Sequence, residues 1–331
     1  MSDAQKTLTI TTGLARKVSG DIIVPGDKSC SHRSIMFGSL AEGTTHVSGF
    51  LPGDDCLATM NAFKAMGIQI EGPDEEQNVV IHGKGLFGLN EPTDALNIGN
   101  SGTTIRLMSG LLVGQKFSSE MAGDSSLNKR PMARVVDPLK LMGANISAAK
   151  NGTPPVICQG VQDGESLKAI HYDLPMASAQ VKSCVLLAGM YANGVTSVTE
   201  PGITRDHTER MLTAFGYPVT VEDTPIGKKV SIEGGHKLTA CDIQVPGDIS
   251  SATFFMVAGL IAKEGELIIR NVGMNPTRIG SINILQQMNG DLTIINERMA
   301  GGEPVADVVV KSSQLKGIDV DERDVPLAID E

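Results

Sequence analysis

The sequence predicts an α/β protein turned inside out, with helices buried at the centre of each domain and sheets on the outside. Three observations lead there. A unit recurs along the chain, the first helix of each unit is apolar on nearly every side, and a glycine follows the second helix at a regular interval.

The segments IIVPGDKS (22–29), ALNIGNSG (95–102), HYDLPMAS (171–178) and DIQVPGDIS (242–250) each read as a strand, then Pro or Gly with small residues, then a helix start. A second helix follows in every unit and ends at Gly67, Gly143, Gly216 and Gly290, at spacings of 76, 73 and 74 residues. Glycine there takes the left-handed conformation that closes a helix without steric cost. The unit of about 75 residues is therefore strand, helix, strand, helix, strands. Four units are visible, and Pro326 in VPLAIDE (325–331) takes the place of Pro25, Pro175 and Pro246, so a fifth begins there. The first helices carry Ile35, Met36, Phe37 and Leu40, or Phe254, Phe255, Met256, Val257 and Leu260. With no polar face, they are expected to be buried all round, whereas a doubly wound sheet would keep its helices outside.

With 331 residues, 41% apolar and 20% charged, the chain is long enough for two domains. The amino terminus has no apolar run behind a basic start, and no later stretch reaches 18 residues without polar interruption, so neither secretion nor membrane insertion is expected. Cys30, Cys56, Cys158, Cys184 and Cys241 are odd in number and dispersed without CxxC spacing. That argues against a disulfide framework and a zinc site, and fits reduced thiols in a cytoplasm. A net charge of −10, 3% aromatic residues and no Trp count against nucleic acid as a partner. An anionic small ligand must then meet a local basic cluster.

The buried helices supply one. Their first N–H groups lack intrahelical partners and present the positive end of the dipole, and several such ends on one surface make an anion site. The ends begin at Ser29, Gly102, Ser178 and Ser250. Lys28-Ser29-Cys30-Ser31-His32-Arg33 adds two cations and hydroxyls to the first of them, a pattern that favours phosphate over a plain capped helix start. Arg33 is suited to a bidentate grip and Lys28 to a point charge serving two ligands. Gly99-Asn100-Ser101-Gly102-Thr103-Thr104-Ile105-Arg106 occupies the same point of the second unit, where its backbone is expected to touch ligand. Asn128-Lys129-Arg130-Pro131-Met132 offers two more cations, with a solvated charge pair as the alternative. Met176-Ala177-Ser178-Ala179-Gln180-Val181-Lys182-Ser183 brings neutral groups suited to hydroxyls. Thr204-Arg205-Asp206-His207-Thr208-Glu209 opens a helix with Arg205 placed to project into the cleft and His207 read as structural. Asp330 and Glu331 fall at the equivalent turn of the fifth unit, where a carboxylate suits a general base toward a ligand hydroxyl.

Taken together, VPGDKSxSHR, GNSGTT, KRPM, MASAQVKS, TRDHTE, VPGD, MNPTR and IDE occur in the order seen in 5-enolpyruvylshikimate-3-phosphate synthases, and the chain resembles that family, its class II bacterial branch especially, over nearly its whole length. The resemblance implies the inside-out α/β two-domain enolpyruvyl transferase fold, with an upper domain at 21–242 and a lower one combining 1–20 with 243–331, joined by a two-strand hinge. It implies that Lys28 lies between both substrates, and that Ser29, Arg33, Ser178, Ala179, Gln180 and Arg205 hold shikimate 3-phosphate. Asn100, Gly102, Arg130 and Gln180 match phosphoenolpyruvate positions, with Arg130 as the cationic clamp, and Asp330 matches the carboxylate near the shikimate 5-hydroxyl. Lys28 and Asp330 are thus the expected catalytic pair. The implied reaction protonates the enolpyruvyl methylene, lets the 5-hydroxyl attack the adjacent carbon and eliminates phosphate, with no metal or cofactor, in a cytoplasmic monomer.

Gly102 stands where tolerant class II members carry an Ala that crowds glyphosate, so a glyphosate-sensitive site is expected. The family also continues past the fifth strand into a helix, a Leu-Arg-Val-Lys-Glu-Ser-Asp-Arg-like segment, a further Arg and a last Lys. The chain as written is therefore expected to be inactive or nearly so, with an incomplete and frayed lower domain. Two alternatives are a UDP-N-acetylglucosamine enolpyruvyl transferase, against which SHR, TRDHTE and the absence of a Cys near Ser125-Ser126-Leu127 argue, and a non-catalytic ligand-binding remnant.

Overall fold

The four repeated turns all use a side-chain cap. In the computed structural model, which describes residues 13, 16–162 and 164–331, helix α1 (Lys28–Leu40) starts where Asp27 accepts the Cys30 N–H at 2.8 Å. The first unit ends with α2 (Asp54–Ala65), and the second opens its own capped helix, α3 (Gly102–Leu112), where Ser101 accepts from Thr104. After α4 (Ala133–Leu141), Ser178 caps α5 (Ala179–Gly189), and after α6 (His207–Ala214), Asp248 caps α7 (Ile249–Ile261). Helix α8 (Gly280–Gln287) completes the series. A short oxygen-bearing side chain at each of these points satisfies an N–H that the helix itself cannot.

At the far end of the second helices, Gly67, Gly143 and Gly216 have φ of +83°, +82° and +78°. The fourth unit departs from expectation, since Asn289, not Gly290, takes the left-handed position, at φ +69°. Asparagine is among the few residues that tolerate it, which allows the cap to move back by one.

Four larger sheets among the described residues share one plan: a parallel strand at one edge, then two antiparallel pairings. Strands 96–97, 119–122, 156–158 and 146–148 form one and 171–173, 195–200, 227–233 and 220–224 another. The other two exchange their parallel edge. The strand Gly20–Ile23, which leads into α1, pairs with Glu266–Gly273 in the sheet completed by 303–311 and 291–300. The strand Ile243–Gln244, which leads into α7, pairs with Ala41–Ser48 in the sheet with 79–84 and 69–71. Two separate apolar cores result. One runs from Cys30 to Val245; the other gathers Val24 with residues from Ile249 to Val310. Between them the chain crosses twice, side by side, with Asp27 N–H donating to Pro246 and Asp248 N–H to Pro25. The expectation that residues 1–20 join the second lobe falls mostly on positions outside the described residues; Lys17 and Val18 lie beside Glu264 of that lobe.

In the first lobe α3 packs against both α1 and α5, and every residue of α1 from Cys30 to Leu40 is buried. Helix α7 differs from expectation. Met256 and Leu260 are buried, but Phe254 is 78% and Phe255 44% exposed, because α7 packs on its own sheet along one side and touches α8 through Thr253 and Ser281, which leaves the face with Phe254 and Phe255 uncovered. The fifth unit differs as well. Residues Val325–Leu327 form a single 3₁₀ turn, not a strand, and the segment docks on α8 through Asp324, whose carboxylate accepts from Asn283 and Gln287 at 2.9 Å. No helix of the described residues is long and apolar enough to cross a membrane.

Candidate functional site

The N-termini of α1, α3 and α5 are stitched together by side chains. Arg33 donates from Nε to Thr208 at 2.8 Å, from Nη2 to Ser183 at 3.1 Å and from Nη1 to the Ser29 carbonyl at 3.1 Å. It thereby joins α1 to α5 and α6, and burial lowers its pKa. Three of its five N–H groups are engaged, leaving two for a ligand. Thr59 of α2 touches His32 at 2.7 Å and Thr104 at 2.6 Å, so α1, α2 and α3 share one hydroxyl chain that ends on the Ser101 cap. Burial, then the charges of Lys28 and Arg33, push the His32 pKa down to about 3, which keeps the ring neutral in this chain.

Around that frame stand the residues expected from the sequence. Lys28 opens α1 and forms an ion pair with Asp55 in the first turn of α2. Ser29 lies in the same turn. Gln180 accepts from Arg106 Nη1 at 2.6 Å and donates to Thr103 at 3.0 Å, which fastens the start of α5 to the start of α3. Asn100 donates to Asp124 at 2.9 Å and accepts from Arg130, whose guanidinium reaches over Gly102. Burial, then the neighbouring charges of Arg130 and Arg134, lower the Arg106 pKa, so three guanidinium groups gather at the positive end of α3. Such crowding of like charge favours a bound anion.

Arg205, a third exposed, pairs with Asp330. Its pKa is lowered by burial and then by the Arg278 charge from the second lobe. Ser178, Ala179, Gln180 and Arg205 face Thr277 and Ile329 across a cavity of about 440 Å³, so the cavity is walled by both lobes. Glu331 accepts from Arg278 at 3.1 Å and from Ser250 at 2.5 Å. The structure therefore brings Lys28, Ser29, Arg33, Asn100, Gly102, Arg130, Ser178, Ala179, Gln180, Arg205 and Asp330 to linked positions around three helix ends. Sequence reading missed Asp55, Thr59 and Arg278. An acidic pair opening α2 was the signal for Asp55, and the MNPTR string held Arg278 without indicating that it points at Asp27.

Comparison with known proteins identifies the family. The family model described as EPSP synthase (3-phosphoshikimate 1-carboxyvinyltransferase) matches residues 14–331. The chain belongs to the EPSP synthase family. Among curated EPSP synthases, the 3-phosphoshikimate 1-carboxyvinyltransferase of Hydrogenovibrio crunogenus is 60% identical over 315 residues, 95% of this chain and 70% of that protein. The Methylococcus capsulatus protein of the same name is 55% identical over 326 residues, 98% of this chain and 73% of its own. The solved EPSP synthase of Acinetobacter baumannii superimposes with a TM-score of 0.89 at 59% identity, covering 96% of this chain and 70% of that one. The two-lobed fold with interior helices is thus the EPSP synthase fold, and the family is one of transferases.

Proposed function

We propose that this chain is a 3-phosphoshikimate 1-carboxyvinyltransferase whose crevice binds shikimate 3-phosphate beside Arg33, Ser178, Ala179, Gln180 and Arg205, and phosphoenolpyruvate beside Asn100, Gly102, Gln180 and Arg130. The observation that supports it is that the capped starts of α1, α3 and α5 are tied together through Arg33–Ser183 and Arg106–Gln180, with Lys28 in the first turn of α1, Arg130 over Gly102 and Arg205 beside Ser178–Gln180, in a chain of net charge −10. Two anionic reactants repel each other in water, and fixed dipoles and cations that face both offset this and favour the charged tetrahedral intermediate.

In this reading Lys28 lies between the reactants and Asp330 takes the proton of the 5-hydroxyl. The hydroxyl oxygen bonds to the carbon bearing phosphate while a proton joins the methylene carbon. The carbon–oxygen bond to phosphate then breaks, a methyl proton leaves and the enol double bond reforms. Closure of the two lobes about the paired crossings at Pro25–Asp27 and Pro246–Asp248 brings Arg278 and Asp330 to the first-lobe groups. A monomer acting in the cytoplasm belongs to the same reading, which the five unpaired cysteines support.

Calorimetric titration tests it. Shikimate 3-phosphate is expected to bind one per chain and to bind at least about tenfold more weakly to Arg205→Met; UDP-N-acetylglucosamine is expected not to bind. Binding of the nucleotide sugar in place of shikimate 3-phosphate overturns the assignment.

A further inference from the structure

We propose that Cys30, His207 and Glu303 form a binding site for a thiophilic divalent cation such as Zn²⁺ at the junction of the two lobes. Cys30 is the third residue of α1 and His207 the first of α6, both in the first lobe, whereas Glu303 opens the strand Glu303–Lys311 of the second. The Cys30 Sγ lies 3.7 Å from His207 Nδ1, which lies 2.8 Å from Glu303 Oε1, and the three donor atoms are all within 4.8 Å of one another.

One thiol, one imidazole and one carboxylate are donors that zinc takes at about 2.0–2.3 Å, which sets tetrahedral donor separations of about 3.3–3.6 Å. The thiol–imidazole contact already has nearly that spacing, and the imidazole–carboxylate hydrogen bond has to open by about half an ångström. The carboxylate has an outer contact in place too. Asn275 donates to Glu303 Oε2 at 2.9 Å and fixes the carboxylate, as outer partners of metal ligands do. The His207 Nε2 has no hydrogen-bond partner among the described residues, so no existing bond is broken when the ring proton moves there and Nδ1 turns to the metal.

Charge and protons balance. The cation displaces the Cys30 thiol proton, which leaves to solvent, and the His207 proton shifts from Nδ1 to Nε2, so the imidazole stays neutral. A divalent ion with one thiolate and one carboxylate has no net charge, which suits a site whose residues are 1%, 3% and 2% exposed. Because the donors come from both lobes, the ion enters when the lobes part and then holds them together. Sequence spacing concealed the site, since 177 residues separate Cys30 from His207 and 96 separate His207 from Glu303.

Cobalt(II) titration of the whole chain, stripped of metals beforehand, tests the site without any substrate, so its failure leaves the transferase reading untouched. One Co²⁺ per chain is expected, with a thiolate-to-cobalt charge-transfer band that Zn²⁺ removes. The band should vanish in Cys30→Ser, persist in Cys241→Ser, and need at least about tenfold more metal in Glu303→Gln. X-ray absorption of the loaded wild-type chain should show one sulfur among nitrogen and oxygen ligands, a readout independent of whether any variant folds. Absence of a saturable thiolate band in the wild type, a band that survives Cys30→Ser, or a ligand shell without sulfur overturns the proposal.

Discussion

Arg130 stands over the α-carbon of Gly102: a methyl group built there meets Arg130 Nη1 at 2.8 Å and Arg106 Nη1 at 3.0 Å. Both are ends of flexible side chains. The variant Gly102→Ala is therefore predicted to fold with an unchanged melting temperature while its Arg130 moves off Asn100. Phosphoenolpyruvate and glyphosate should each bind about tenfold more weakly, roughly 1.4 kcal/mol. Titration of both ligands checks this, and equal affinities before and after the change would refute it.

Lys182 is fully buried between Glu200 at 3.0 Å and Glu209 at 2.6 Å. Removing the cation in Lys182→Met leaves two buried carboxylates facing each other and should cost about 3–5 kcal/mol in denaturant unfolding. Burial already raises the Glu200 pKa, with Lys182 the largest opposing influence. In the variant that carboxyl rises further, so its stability should fall as pH rises through the carboxylate range. Combining Lys182→Met with Glu200→Gln and Glu209→Gln should recover much of the loss.

Asp307 has its carboxyl held at about 2: burial alone would raise it, but the Asn271 N–H, the Asn296 amide and the Arg270 guanidinium outweigh that. An unfolded aspartate titrates near about 3.9. The folded value is depressed, so the stabilisation is complete above about pH 4 and is lost as pH falls toward 2. Asp307→Asn should unfold at lower denaturant than the wild type at neutral pH, and the gap should close on acidification. A gap that stays constant from about pH 6 to 3 contradicts the assignment.

Asn289 occupies the left-handed region at φ +69°. Asn289→Gly should be close to neutral, whereas Asn289→Val should destabilise by about 1–2 kcal/mol. Equal effects of the two changes would show that the side chain, not the backbone, matters there.

The repeat was legible because its signals are local. Asp27, Ser101, Ser178 and Asp248 cap helices within four residues of themselves, and Gly67, Gly143 and Gly216 close helices that end just before them. Such features need only the neighbouring backbone. The cationic cluster was legible in membership for the same reason, since Lys28, Arg33, Arg106, Arg130 and Arg205 lie at helix starts in the first three units.

Partners were not legible, because they come from other units. Nothing near Lys28 names Asp55, and nothing near Arg33 foretells that Thr208 and Ser183 surround it. The apolar run of α7 was misjudged because periodicity reports what a helix is able to bury and says nothing of whether a neighbour stands there. Val325–Leu327 was misread because a proline after a valine suits a 3₁₀ turn as well as a strand, and the choice was made by Asp324 contacting α8. The sheet pairing of Gly20–Ile23 with Glu266–Gly273 joins segments that lie 249 residues apart at Asp21 and Arg270 and left no trace in either segment alone.

That last pairing has a consequence for how the chain is made. Gly20 leaves the ribosome long before Leu267, the residue it aligns with, while everything needed for the core from Cys30 to Val245 is synthesised in between. The nascent chain therefore completes one lobe as a closed parenthesis, its leading edge strand waiting outside until translation supplies the rest of the other.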